Sequence, residues 1–276
     1  MMNAWLEIVG VIGVIALGAI AGRFAGRLRQ PYWLIGYLLP VAVLGILVAA
    51  RFNHSMNFLR PFCWFITGRA RFVTLALAAT VSLITLLPQI RKKYQKILVS
   101  SLIAVFVSLF SILPFLAPIL IENKLSNLTT TFASDGVCLQ SRNYTCGPAA
   151  AVTALRKLGL SANEGEIAIL SHTIPIVGTL PKCLRNAIQS RYAGQGLQSE
   201  YRRFDSISQL KNAGITLAVM KSAILSDHCV AVLDVTDNTV KIADPVSGQL
   251  TLSYEQFAKT WRFSGIVLKR LIAKQG

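Results

Sequence analysis

Apolar and polar positions divide this chain into two halves of different character. Up to about residue 121 the apolar positions run in long blocks, over residues 5–21, 32–50, 72–87 and 97–121. A helix that crosses a bilayer core needs about 20 apolar residues, with a range of roughly 17–25. The pattern therefore predicts an all-α transmembrane region of four helices over residues 1–121, the third extending to Ile90. Residues 62–67 are also apolar, but Arg60, Pro61 and Arg69 flank them, so they read as interfacial or re-entrant. Pro40, Pro114 and Pro118 can kink these helices, which membrane helices tolerate. Residues 122–135, rich in Ser, Asn and Thr, read as a polar linker.

From 136 to 276 the blocks shorten and the period changes. Residues 147–158 predict a helix, because Ala149, Ala150, Ala151, Ala154 and Leu155 are good helix formers and Gly159 stops it. A second helix over 164–170 starts near Ser161 or Asn163. A third has Thr179 as N-cap and Pro181 in its first turn, with Leu184, Ala187 and Ile188 at helical spacing. A short helix over 206–212 precedes strands at 215–220, 228–235 and 239–243, which are rich in Val, Ile and Leu. Asp237-Asn238 is a turn signal between the last two. A strand at 250–252, a helix at 254–261 and a closing strand at 265–271 complete the set. Helices first and an antiparallel sheet second is an α+β layout. About 140 residues suffice for one core.

Charge sharpens the division. The chain carries a net +16 and a mean hydropathy of +0.54, values that suit a membrane portion joined to a soluble one. Of twelve acids, only Glu7 and Glu122 precede residue 125. The basic residues flank apolar runs and form no stripe with interleaved aromatics, which argues against nucleic acid as a partner. The first and third linkers hold seven of them: Arg23, Arg27, Arg29, Arg91, Lys92, Lys93 and Lys96. The middle linker holds four: Arg51, Arg60, Arg69 and Arg71. By the positive-inside rule the first and third linkers are cytoplasmic. The expectation is a multi-pass cell-membrane protein with its C-terminal domain on the outer face. The first run lacks a basic leading region, which argues against a cleaved signal peptide. Among five cysteines there is no C-x-x-C pair, and histidines are few, so neither a metal site nor a cofactor is expected. An odd cysteine remainder of Cys138, Cys183 and Cys229 argues against a disulfide scaffold.

The chemistry centres on Gln140-Ser141-Arg142-Asn143-Tyr144-Thr145-Cys146-Gly147-Pro148. Cys146 opens a predicted helix, whose positive end favours a thiolate nucleophile. A lone cysteine is usually a small buried hydrophobe; the preceding glutamine and the Cys-Gly-Pro step raise its standing. His228 is the only histidine after Cys146 on a predicted strand, and it suits a general base. Cys229 then points to the opposite sheet face and reads as packing. Asp244, at a strand end before Pro245, suits the carboxylate that orients the ring, although Asp-Pro is also a turn starter. Asp227 faces away, and Asp234 lies six residues, about 20 Å, along the strand. Gln140 is placed to donate to an oxyanion. A two-residue turn at Asp237-Asn238 would set Asp244 opposite Ala231, on the wrong face for His228. An offset of three residues, from a bulge or wider loop, is then needed to bring the two across from each other.

Residues 136–270 resemble the bacteriocin-processing cysteine peptidases, papain-like domains that cut after a double-glycine leader. The likeness runs over Gln140, Cys146-Gly147-Pro148-Ala149, the Gly178-Thr179 turn, His228 with its apolar tail, and Asp244-Pro245. It covers about half of the chain. It implies a papain-like α+β fold, with Cys146 as nucleophile, His228 as general base, Asp244 as orienter and Gln140 in the oxyanion hole. The implied partners are a peptide or protein substrate and the lipid bilayer, with a separate exporter in prospect. The best-known members fuse this domain to an ATP-driven exporter and hold it in the cytoplasm. Here apolar runs precede it and there is no G-x-x-x-x-G-K-[ST] loop, so this chain alone does not drive ATP-dependent transport. Two further readings stay open. One is a non-catalytic papain-like module that binds or docks peptides. The other is an amidase or acyltransferase using the same thioester chemistry.

Overall fold

The computed structural model describes residues 4–175, 177–223 and 226–271. The last five residues of the soluble domain expected over 136–276 lie outside them, as do the first three of the chain. The chain divides into two compact units, Met1–Leu120 and Ile121–Gly276.

The first unit is all helix: α1 (Ala4–Gly26), α2 (Leu38–Phe52), α3 (Phe62–Ile66), α4 (Ala70–Leu86), α5 (Lys93–Val107) and α6 (Leu113–Leu120). Among the described residues, three stretches are long and apolar enough to cross a membrane: Leu6–Gly26, Tyr32–Phe52 and Ala70–Gln89. The fourth apolar run also folds as helix, but a π-helical segment, Ser108–Ile112, separates α5 from α6. Residues 62–67, read as interfacial, hold the five-residue helix α3.

Three glycines of α1, spaced four apart, set the packing on α4. A Cβ on Gly18 would meet Thr80 at 3.2 Å, on Gly22 the Val81 carbonyl oxygen at 2.8 Å, and on Gly26 the Thr85 carbonyl oxygen at 2.6 Å. The contacts advance in the same direction along both helices, so α1 and α4 run parallel. Small residues at this spacing let membrane helices approach closely, where dispersion rather than hydrophobicity drives association. Near the other end of this contact, Arg69 pairs with Glu7 at 2.5 Å and lies over the Phe115 ring at 4.6 Å.

The second unit begins with α7 (Glu122–Ser126) and the pair β1 (Thr131–Phe132) and β2 (Cys138–Leu139). The segment 122–135, read as a linker, packs within this unit: Leu125 is fully buried against Ala168. Three helices follow: α8 (Cys146–Lys157), α9 (Glu164–Leu170) and α10 (Pro181–Tyr192). Asn163 caps α9, its side chain accepting from the N–H groups of Gly165 and Glu166. Thr179 is not the N-cap of α10. Leu180 holds that position and Pro181 is the first helical residue, while the Thr179 hydroxyl lies 2.6 Å from that of Thr173.

Strands β3 (Leu197–Arg203), β4 (Ile215–Lys221), β5 (Asp227–Val235), β6 (Thr239–Asp244), β7 (Gly248–Ser253) and β8 (Trp261–Arg270) form one antiparallel sheet, with α11 (Tyr254–Thr260) before β8. The order is β3-β8-β4-β5-β6-β7. One face carries Leu217, Ala231, Ala243 and Ile266 against α8 and α10. The other carries Val230, Val232, Ile242 and Trp261 under α11. Two sequence expectations change here. β3 lay outside every predicted strand, and Trp261, expected to end a helix, opens β8. Its ring is fully buried and its Nε1–H donates to the Ser264 carbonyl at 3.1 Å, so the side chain ties the strand start to the core.

Candidate active site

The site forms where the first turn of α8 meets the ends of β5 and β6. Helix α8 is buried from Gly147 to Leu155, and its alanines let the backbone lie close to the sheet. Gly147 is closely packed: a Cβ there would meet the Thr179 side chain at 3.1 Å. Arg156 and Lys157 occupy the last turn, where cations oppose the negative helix end. Gly159 takes the left-handed conformation, with φ +72°. Beyond it the Leu160 N–H returns to the Leu155 carbonyl at 2.9 Å.

Cys146 is the first residue of α8 and is half-buried. The first N–H groups of a helix have no intrahelical acceptor. Pro148 carries none, so Cys146 and Gly147 supply the leading donors of this end.

His228 is the second residue of β5. Its Nε2 lies 2.8 Å from Asp244 Oδ1, and the Cys146 thiol lies near enough to the ring to favour its charged form. With Asp244 on Nε2, the nitrogen left for sulfur is Nδ1. Burial alone would push the ring's pKa down. The hydrogen bond to Asp244, the neighbouring Cys146 sulfur and the charges the two carry outweigh burial and raise it to about 9. For Asp244, burial works upward, but the His228 ring and backbone N–H groups of Val246 and Ser247 hold the carboxyl below its ordinary value. The Val246 N–H donates to Oδ1 at 2.9 Å.

The register that brings this pair together differs from the expected three-residue offset. Val235 faces Val240 and Asp234 faces Lys241, but Val232 faces Ile242 and Ala231 faces Ala243. One extra residue, Leu233, bulges out between them. A single-residue shift already changes which face Asp244 shares. Its side chain then reaches His228 along the diagonal rather than directly across, a distance that long side chains span.

Gln140 follows β2. Its backbone N–H donates to the Pro245 carbonyl at 2.9 Å, next to Asp244. Its side-chain Oε1 is buried and has no hydrogen-bond partner among the described residues. Cys229 packs on the helix-facing side of the sheet beside Ala231. Burial and the Cys146 sulfur push its thiol well above the ordinary range. Cys138 is fully buried, and burial with the Glu164 carboxylate nearby raises it to about 12. None of the five cysteines, all among the described residues, is in a disulfide. The candidates Gln140, Cys146, His228 and Asp244 are thus brought to one end of the sheet. Glu164, to which the sequence reading gave no role beyond opening the helix over 164–170, is fully buried and bonded to Ser141, the neighbour of Gln140. The sequence carried no signal for its partner, which lies 23 residues earlier.

A cysteine at a helix N-terminus, facing a strand-borne histidine–aspartate pair at the end of an antiparallel sheet, defines a papain-like thiol-peptidase architecture. Residues 135–271 match the model of the peptidase C39 family. The chain belongs to this family. An uncharacterised protein of Methanothermobacter marburgensis is 30% identical over 141 residues, 51% of this chain and 93% of that protein. A second, from Methanothermobacter thermautotrophicus, is 26% identical over 143 residues, 52% of this chain and 94% of that one. Among solved structures, a double glycine motif protease from an AMS/PCAT transporter, in complex with its leader peptide, is similar with a TM-score of 0.41 and 15% identity. It covers 52% of this chain and 93% of its own. The peptidase domain of Streptococcus ComA, a bifunctional ABC transporter of a quorum-sensing pathway, gives 0.42 and 21%, over 48% and 96%.

Proposed function

We propose that this protein is a membrane-anchored cysteine peptidase that removes leaders from peptides or proteins. Membership of the peptidase C39 family supports the class. The observation that carries the reading is the two-sided engagement of His228, with Asp244 on Nε2 and Cys146 on the other side of the ring. In this reading Cys146 Sγ, as thiolate, attacks the scissile carbonyl carbon. The carbonyl oxygen becomes an oxyanion, met by the Cys146 N–H and the Gln140 side-chain amide. The His228 imidazolium gives its proton to the leaving amine, the C–N bond breaks and a thioester remains. Neutral His228 then takes a proton from water, which attacks the thioester; the tetrahedral intermediate collapses to the carboxylic acid and the thiolate leaves, restoring the thiolate–imidazolium pair. Asp244 holds the ring and stabilises its charged form.

The N-terminal region serves here as a multi-pass membrane anchor, with residues 136–276 on the outer face by the bias of seven basic residues against four. A separate exporter would then deliver the substrate. Peptides ending in Gly-Gly are the first probe, because the resemblance to the bacteriocin-processing peptidases implies them. The test is labelling of the full-length protein in detergent with an alkyne-tagged thiol reagent. Labelling at Cys146 that a Gly-Gly leader peptide blocks, with release of the cut leader, supports the reading. Binding of the leader without cleavage would replace it with a docking module.

A further inference from the structure

We infer that Glu164 is a positioning residue that holds Gln140 in place for oxyanion stabilisation; the inference rests on the proposed peptidase reading. Glu164 is the first residue of α9 and is fully buried. Such burial of a carboxylate is costly unless its lone pairs find donors. Both oxygens are turned on one residue, Ser141. The Ser141 N–H donates to Oε1 at 2.9 Å, and its hydroxyl lies 2.6 Å from Oε2. That hydroxyl is also 2.9 Å from the Thr129 carbonyl, and the Glu164 N–H donates to Thr130 Oγ1 at 3.0 Å. Ser141 adjoins Gln140, whose own N–H is held by Pro245. The Gln140–Ser141 peptide is therefore clamped from two sides, by the strand end that follows Asp244 and by a buried carboxylate of α9. Gln140 Oε1 has no partner of its own among the described residues, so its side chain is not held by a hydrogen bond to that atom. Its position depends on the backbone clamp. An oxyanion donor displaced by a fraction of an ångström loses most of its value, because its worth lies in being already in place.

The test uses the full-length protein in detergent and two reactions of the same sulfur. Acylation by p-nitrophenyl acetate passes through an oxyanion and needs no peptide recognition. Alkylation by iodoacetamide forms no oxyanion. Rates are taken relative to Cys146→Ala to remove the other thiols. Gln140→Ala should slow acylation and spare alkylation, which checks the underlying reading. Glu164→Ala should slow acylation at least about tenfold, given that loss of a whole donor costs about 10²–10³, with alkylation within about twofold. In the Gln140→Ala background, Glu164→Ala should cause no further loss, because the two act through one group. Glu164→Gln keeps an acceptor for the Ser141 N–H and should restore most of the rate. If Glu164→Ala does not fold, Ser141→Ala cuts the hydroxyl half of the clamp alone and should give a smaller loss with the same dependence on Gln140. Equal losses with and without Gln140, or no loss in either variant while Gln140→Ala is slow, would overturn the inference. Normal acylation in Gln140→Ala itself would instead overturn the oxyanion role from which it starts.

Discussion

The backbone N–H of Gln140 donates to the carbonyl of Pro245 at 2.9 Å. This bond joins the loop that leads to Cys146 to the strand end that carries Asp244, so the candidate oxyanion donor and the candidate orienting carboxylate share one support. Gln140→Ala should leave that backbone bond intact and remove only the side chain. The expected result is a fall in kcat of about 10²–10³, with KM little changed. Gln140→Glu should do similar damage by placing a charge against the oxyanion. Steady-state kinetics on a cleaved leader peptide measure both, and near-normal kcat would make Gln140 a turn residue only.

Cys146→Ala should abolish cleavage while far-ultraviolet circular dichroism stays unchanged. In the native protein, brief iodoacetamide treatment at neutral pH followed by peptide mapping should place the label on Cys146. Cys138 and Cys229 should react much more slowly, since burial holds both thiols protonated. Faster labelling of either one would move the nucleophile elsewhere.

The proton on His228 sets a pH window. Its folded-state pKa stands near 9, against an ordinary value of 6.5. The stability contributed by the charged ring is therefore complete below about 6.5 and is lost as pH rises through about 9. The same proton is the one given to the leaving amine, so kcat/KM should fall on the alkaline side near that pH. Asp244→Asn removes the carboxylate that favours the charged ring, and the alkaline limb should move to lower pH. A limb that stays in place in this variant would detach Asp244 from the ring's titration.

Alkaline phosphatase and a fluorescent protein, each fused separately after the final residue, report the side of the membrane. An outer-face domain gives an active phosphatase and a dark fluorescent fusion. The opposite pair would reverse the orientation drawn from the basic residues.

Gly22→Leu should destabilise the helical unit, because a side chain there meets the α4 backbone. Overpacking of this kind costs about 1–3 kcal/mol. Gly13 lies in the same helix with nothing within 4 Å of the site of a Cβ. Gly13→Leu should therefore be neutral or mildly stabilising, and thermal unfolding in one detergent compares the two. Equal effects would mean that the glycine spacing does not set the contact with α4.

Much of the fold was readable because burial and backbone period agree locally. The runs in β4, β5 and β6 are apolar enough to announce themselves, and Asn163 and Gly159 mark helix ends by their own chemistry. β3 was not readable. Leu197-Gln-Ser-Glu-Tyr-Arg-Arg carries few apolar residues, and it becomes a strand through pairing with β8 and through α10, whose Gln189 accepts from the Ser199 N–H at 2.7 Å. Both are long-range facts. Cys146, His228 and Asp244 were found as residue types at suggestive places. The register that joins His228 to Asp244 was not, since a bulge at Leu233 leaves no mark in a run of Val, Ala and Leu. Glu164 was missed for the same reason: a first-turn acid reads as an exposed helix-end charge until its distant partner is known.

The β5–β6 hairpin has an arithmetic. Side chains alternate between faces along a strand, so the hairpin counts residues in twos. Leu233 is extra on β5 alone, so removing it would leave a regular ladder with Val232 still facing Ile242, Ala231 still facing Ala243 and Asp244 still opposite Val230 on the face of His228. What parts the pair is a one-residue slip of β6 against Val232 and Ala231, which carries the carboxylate to the far face.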